Sequence, residues 1–358
     1  MLVYYLNLFF VCLCALFHRN QSRRDLREGF LIGIISFCLI FVAGVRNGVG
    51  TDWWNYNAIF GKFMQIPITE VIGQKEWGFW GISSLVGTVT NDVTLVFVIH
   101  AALIVIPIIL VLHRYSTSFC FSLFLYITMM EYYGSFNGIR QCTAAAFLYL
   151  GIYWIYKRKF IPYACLVLFS SIFHNTAIIM LPLYFFVTQT AWSNRIKIVS
   201  FCLIGIVVFF PGVANSLVSI MDGMEYQKYM IQDPTDDGVN ILRVLVALAP
   251  VVISSVYYKF LYANETEKQW IDILINFSLL NFLVMSLALR STVLARFSMY
   301  FNLYNILLIP YFLRIFQKDS RIIAACIIGV LFLIYMTLLL PTDSNLLPYK
   351  TVWGHIFY

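Results

Sequence analysis

Five arginines in this chain stand at or near the ends of apolar runs, where they could do chemistry. In FVAGVRNGVGTDWWNYNAIF, Phe41 to Phe60, an apolar stretch ends at Val45, and Arg46, two glycines, Asp52, Trp53, Trp54 and Tyr56 follow. Arg140 opens one later run and Arg243 another, while Arg290 and Arg296 bracket a turn between two more. A guanidinium stays charged at any working pH and donates paired hydrogen bonds that match a diphosphate. Five of them at one side of a membrane predict a clamp on a polyprenyl diphosphate, as substrate or as leaving group. Taken singly, each also fits an arginine with its stem in lipid and its head in water.

A proton acceptor is the second requirement. His174, in SSIFHNTAIIM, sits at a turn on the same side as Asp52. An imidazole titrates at about 6.5 and can take a proton from a hydroxyl near neutrality. Either residue could serve, and a lone histidine equally fits a satisfied polar position. Trp53, Trp54, Tyr56, Trp77, Phe79 and Trp80 crowd the same loop; they suit docking of sugar rings or an interfacial aromatic belt. Gly48 and Gly50 allow a tight turn that points Asp52 back toward the membrane. In this reading Arg46 faces phosphate and the aromatics face sugar. EWGFWGISSLVGTV has helical spacing and predicts a helix lying on the outer interface, with Glu76 at its N-terminus. Asp236-Asp237-Gly238 reads as a turn rather than a metal site. No P-loop, HExxH or GxSxG with partners occurs, so ATP-driven work is not expected, nor is a metal or cofactor.

These groups need a membrane scaffold. The chain has 358 residues, of which 61% are hydrophobic and 11% charged, against roughly 25% charged in soluble domains. Its mean hydropathy is +0.82. The expected fold is all-α: a polytopic helical bundle with about twelve spans, near 2–17, 29–45, 93–112, 119–133, 139–156, 160–173, 176–190, 198–217, 240–262, 270–289, 297–313 and 322–340. The net charge of +7 comes mostly from short loops, as topology signals do, which argues against a nucleic-acid partner. The segments HRNQSRRDLRE, KRK, WSNRIK and LRIFQKDSR then lie in the cytoplasm, and both termini outside. No cleavable signal is read in the first apolar run. The whole of 1–358 reads as one transmembrane domain with outer loops 46–92 and 218–239. The eight cysteines lie in or beside apolar runs and read as small packing residues, without a disulfide framework.

The segments RNGVGTDWWNY, NGIRQCTAAAFLYLG, FHNTAIIMLP and RFSMYFNLY, followed by LPYKTVW, resemble in order and position those of the EpsG family of Wzy-type polysaccharide polymerases. Glu131 and Tyr132-Tyr133 have no counterpart in that pattern. The resemblance spans about residues 41 to 353. It implies a bacterial inner-membrane enzyme joining oligosaccharide repeat units carried on undecaprenyl diphosphate, on the periplasmic side. A membrane chain-length co-polymerase is the implied partner besides the lipid bilayer. In that setting Arg140 and Arg296 form the clamp, Arg46 and Arg290 support it, and His174, then Asp52, is the base. Arg243, Gln141, Trp53, Tyr56 and Tyr300 bind substrate. A flippase for lipid-linked oligosaccharide or an O-antigen-ligase-like transferase is the alternative.

Overall fold

The computed structural model describes residues 1–17, 26–209, 238–289, 292–342 and 344–357. Arg290, Asp236 and Asp237, and nearly all of the loop 218–239, lie outside them. In chain order the first helices are α1 Leu2–Leu16, α2 Leu26–Gly44, α3 Trp53–Phe63, α4 Ile68–Val71, α5 Trp77–Gly87, α6 Thr94–Tyr115, α7 Phe119–Thr128, α8 Glu131–Gly134 and α9 Ile139–Leu150. There follow α10 Ile152–Tyr156, α11 Phe160–Ser171, α12 Met180–Val187, α13 Asn194–Phe209, α14 Ile241–Tyr257, α15 Glu265–Leu287, α16 Thr292–Ala295, α17 Leu303–Phe312 and α18 Arg321–Leu339. A two-residue hairpin, β1 Tyr349–Lys350 with β2 Ile356–Phe357, is the only sheet among the described residues.

The chain is a multi-pass helical membrane protein, but twelve spans are not established. Five helices are long and apolar enough to cross, namely α2, α6, α15, Ile241–Phe260 and Lys318–Leu339. A sixth would be the pair Thr292–Tyr300 and Leu303–Ile315, bent by 66° at its break. Among the other apolar runs, the helices Leu2–Leu16, Phe119–Thr128, Phe160–Ser171 and Asn175–Val187 are shorter. At 1.5 Å per residue they fall well short of ~30 Å of hydrocarbon. Apolar composition alone does not show the breaks. Met130 takes a left-handed conformation (φ 68°) directly after α7, and Gly151 separates α9 from α10 within what reads as one run.

The described residues cluster into two compact units. The first comprises Met1–Leu150, Ile172–His174 and Ile322–Tyr358, and the second Gly151–Ser171 and Asn175–Arg321. No linker betrays the division, because it runs through continuous apolar chain.

In the first unit, α6 is the central helix and packs on α2 and α9. Its 22 residues end at His113-Arg114-Tyr115, where cations meet the negative end of the helix dipole. The expected outer loop 46–92 is itself folded into α3, α4 and α5. Helix α5 forms where expected, yet it is packed rather than laid flat: Phe79, Ser83, Ser84 and Val86 are buried. Its C-terminal Gly87 meets the backbone of α3's end so closely that a Cβ would lie 2.0 Å from the Met64 carbonyl oxygen. Gly87→Ala is therefore expected to force α5 away from Met64 and cost about 1–3 kcal/mol. A lowered thermal midpoint of the purified protein in detergent checks it, and an unchanged midpoint would contradict the close packing.

The turn after α2 is stitched to the C-terminal segment. Asn47 N–H donates to Lys350 O (2.9 Å), Val352 N–H to Val45 O (2.9 Å), Gly50 N–H to Asn345 O (3.0 Å) and Thr51 N–H to Ser344 O (3.1 Å). Gly48 (φ 67°) and Gly50 (φ 102°) supply the left-handed turns expected of them.

In the second unit, α15 is the buried axis, packed on α14 and α17. It begins with a reciprocal cap: Asn264 Oδ1 accepts from Glu267 N–H (2.9 Å), and Glu267 Oε2 accepts from Ala263 N–H (2.7 Å). Farther along, Asn276 Nδ2 donates to Val187 O (3.2 Å) and Gln189 O (2.7 Å), satisfying carbonyls left over at the end of α12. Asp272 Oδ1 accepts from Ala191 N–H (3.1 Å) and from the Tyr258 hydroxyl.

Candidate active site

The site is built on the first turn of α5. Glu76 precedes the helix in a left-handed conformation (φ 58°, ψ 34°), which costs a non-glycine residue roughly 1–2 kcal/mol. Its surroundings hold it there: Gly78 N–H donates to Ile172 O (3.0 Å) and Phe79 N–H to Glu76 O (2.9 Å). Glycine at 78 permits this approach, since a Cβ would sit 2.8 Å from Ile172 Cγ1. The Ile172 contact brings the segment Ile172–His174 onto α5, and Phe173 packs on Phe147 of α9 with ring centroids 5.1 Å apart. A strained, buried carboxylate on a helix that supports it is a configuration found at functional sites.

Glu76 joins the two strongest sequence candidates. His174 Nδ1 lies 2.6 Å from Glu76 Oε1, and Arg140 donates to Glu76 Oε2 at 2.7 Å. The Glu76 side chain is 2% exposed and that of His174 6%, whereas Arg140 keeps 27%. The Arg140 guanidinium also hydrogen-bonds to the side chain of Tyr56 and lies 5.5 Å from the Trp80 ring. Trp80 stands four residues after Glu76, so α5 presents carboxylate and ring on one face. Gln141 is buried beside Arg140 in the chain. A carboxylate oxygen can only accept, so Nδ1 carries the proton and the neutral ring keeps its lone pair on Nε2. The trio thus combines an oriented base with a cation partly open to a ligand. Sequence reasoning placed Glu76 at this helix N-terminus but gave it only a dipole role.

Arg46 has a different task from the one expected. It is 2% exposed, and its guanidinium donates to Val49 O (3.2 Å), Phe136 O (3.1 Å) and Ala43 O. The Phe136 and Phe97 rings cover it at 4.5 and 5.2 Å. Burial pushes it down to about 10, so it remains a cation at neutral pH, spent on closing the turn rather than facing phosphate. Arg46→Lys keeps the charge but cannot reach three diverging carbonyls. It should cost about 3 kcal/mol, read as a lower thermal midpoint; wild-type stability would contradict the architectural role.

The aromatic expectation also changes. Trp53 is buried, stacked on Phe97 (5.6 Å, 5° between planes), with its indole N–H donating to Arg46 O at 3.1 Å. It packs the interior and offers no face to a sugar. Tyr56 packs on Phe60 and Phe79 and reaches Arg140, whereas Trp54 is 66% exposed. Asp52 caps α3, half-buried, its N–H donating to Asn137 Oδ1 at 3.3 Å.

In the second unit, Tyr300 is buried with its hydroxyl 2.8 Å from Thr176 Oγ1. Arg296 is half-buried in the 3-10 turn Arg296–Tyr300, and Arg243 lies half-buried in the first turn of α14. The five arginines thus divide. Arg46 is held by carbonyls, Arg140 by a carboxylate, Arg243 and Arg296 belong to the second unit, and Arg290 is outside the described residues.

Comparison with curated proteins and with solved structures finds no match. One family model matches residues 29–351, described as the EpsG family. That range runs from within α2 through α18 and holds every residue of the Glu76–His174–Arg140 trio. Members of this family are membrane proteins resembling Wzy-type polysaccharide polymerases. A match over nearly the whole length, on a multi-pass helical scaffold, means that this chain belongs to the EpsG family.

Proposed function

We propose that the protein polymerises oligosaccharide repeat units carried on undecaprenyl diphosphate, at the periplasmic face of a bacterial inner membrane. The observation that carries the reading is the buried Glu76 carboxylate shared between His174 and Arg140. His174 Nε2 takes the proton of an acceptor hydroxyl as its oxygen attacks the anomeric carbon of the donor. The bond from that carbon to the diphosphate oxygen breaks, and its electron pair leaves with undecaprenyl diphosphate. Glu76 orients the imidazole and offsets the charge it acquires. Arg140 stabilises the departing diphosphate, a fixed cation that needs no reorganisation during the reaction. Asp52 is the reserve base. A chain-length co-polymerase fits this activity as a partner.

The test is the glycan profile of a deletion strain and of the purified protein. Without the gene, lipid-capped single repeats should persist while longer chains vanish. In vesicles, lipid-linked repeats should yield polymer and free undecaprenyl diphosphate. Complete loss of surface glycan, single repeats included, would point to a flippase or ligase instead.

A further inference from the structure

Three asparagines meet at the break in the bent helix pair of the second unit. Asn302 stands between the segments Thr292–Tyr300 and Leu303–Ile315, where the direction turns by 66°. Its Oδ1 accepts from Asn281 Nδ2 of α15 (3.2 Å) and from Asn305 Nδ2 of α17 (2.8 Å). Both donor side chains thereby point at one oxygen, and their own oxygens are left over. Asn281 Oδ1 and Asn305 Oδ1 are buried without a hydrogen-bond partner, as is Ser278 Oγ, three residues before Asn281 on the same face of α15. Asn281 and Asn305 are each 1% exposed and Ser278 0%.

Such a cluster cannot satisfy itself. With the amides as assigned, the atoms left over are two amide oxygens and a serine hydroxyl, and none of them has a hydrogen-bond partner within reach. Turning the amides over exchanges leftover oxygens for leftover nitrogens without reducing their number. In a lipid-embedded interior each such atom costs a few kcal/mol, with no bulk water to repair it. Broken helices at membrane depth are tolerated where the irregular stretch holds an ion or lines a cavity.

We propose that Ser278 Oγ, Asn281 Oδ1 and Asn305 Oδ1 bind one alkali-metal cation, Na⁺ or K⁺, with Asn302 orienting the two amides, and that the ion pins α15 to the break. Hard oxygen atoms suit such an ion, and a neutral ligand set suits a single charge better than a double one. The 3-10 turn carrying Arg296 and Tyr300 ends directly before Asn302, so the ion would stiffen that turn. The inference stands independently of what the protein polymerises.

The experiment is thermal unfolding of the purified full chain in detergent. Chloride salts of Na⁺, K⁺ and N-methyl-D-glucamine are compared at constant ionic strength. At least one alkali cation should raise the midpoint by several degrees, with saturation; which one it is distinguishes the two ions. Asn281→Leu should abolish the response. Because that variant can fail to fold, Asn305→Asp is the second arm: it keeps the size, exchanges the donor to Asn302 for a second oxygen, adds a charge, and should lower the half-saturating cation concentration by about 10-fold. A wild-type midpoint indifferent to all three salts would overturn the proposal and leave buried water as the occupant. So would an Asn305→Asp titration that matches the wild type.

Discussion

Glu76→Gln should abolish chain growth, lowering the polymerisation rate by roughly 10²- to 10⁴-fold while leaving the protein in the membrane. Glutamine is nearly isosteric, so α5 and the Ile172–His174 segment can keep their places. What changes is charge. The amide oxygen can still accept from His174 Nδ1, but the amide nitrogen would then face the Arg140 donor now 2.7 Å from Oε2. Arg140 loses its anionic partner, and His174 loses the group that offsets its positive form during proton transfer. Glycan gels should show lipid-capped single repeats without a ladder. Polymer of normal length from a Glu76→Gln strain would remove the trio from the mechanism and leave Asp52 as the base candidate.

Arg140→Lys comes next in expected size, at about 10- to 100-fold loss. Lysine preserves the sign of the charge but not the planar fork. It cannot bond Glu76, hydrogen-bond to Tyr56, lie beside Trp80 and still present donors to a diphosphate. Combining it with Glu76→Gln should do little further harm, because residues acting as a unit are not additive. The readout is the length distribution of polymer made by the single and double variants. Strictly multiplicative losses in the double variant would show that the two residues act separately.

How much of this was legible beforehand follows from what each feature depends on. The helical membrane class rests on composition summed over many residues. His174 and Arg140 are rare polar groups at the ends of apolar runs, so their type and position were enough to single them out. Glu76 was not assigned to the site because its partners are 64 and 98 residues away in sequence. A carboxylate set among tryptophans, with glycine two residues on, was the available hint. Arg46 was misread because nothing local reveals that the carbonyls of Ala43, Val49 and Phe136 converge on it. Twelve spans are not established for a related reason. Apolar runs are visible, but a left-handed Met130 or a 66° bend next to Asn302 is decided by packing.

The hairpin at the end of the chain has a consequence for biosynthesis. Tyr349 donates its hydroxyl to Val42 O across 307 residues, and residues 344–352 supply the hydrogen bonds that close the turn around Arg46. Translation therefore delivers the RNGVGTD turn roughly 300 residues before the segment that fastens it. Until residue 352 leaves the ribosome, that turn waits in the membrane without its backbone partners, exposed to quality-control proteases. A premature stop at codon 343 would spare every described helix and still leave the turn around Arg46 without its backbone partners.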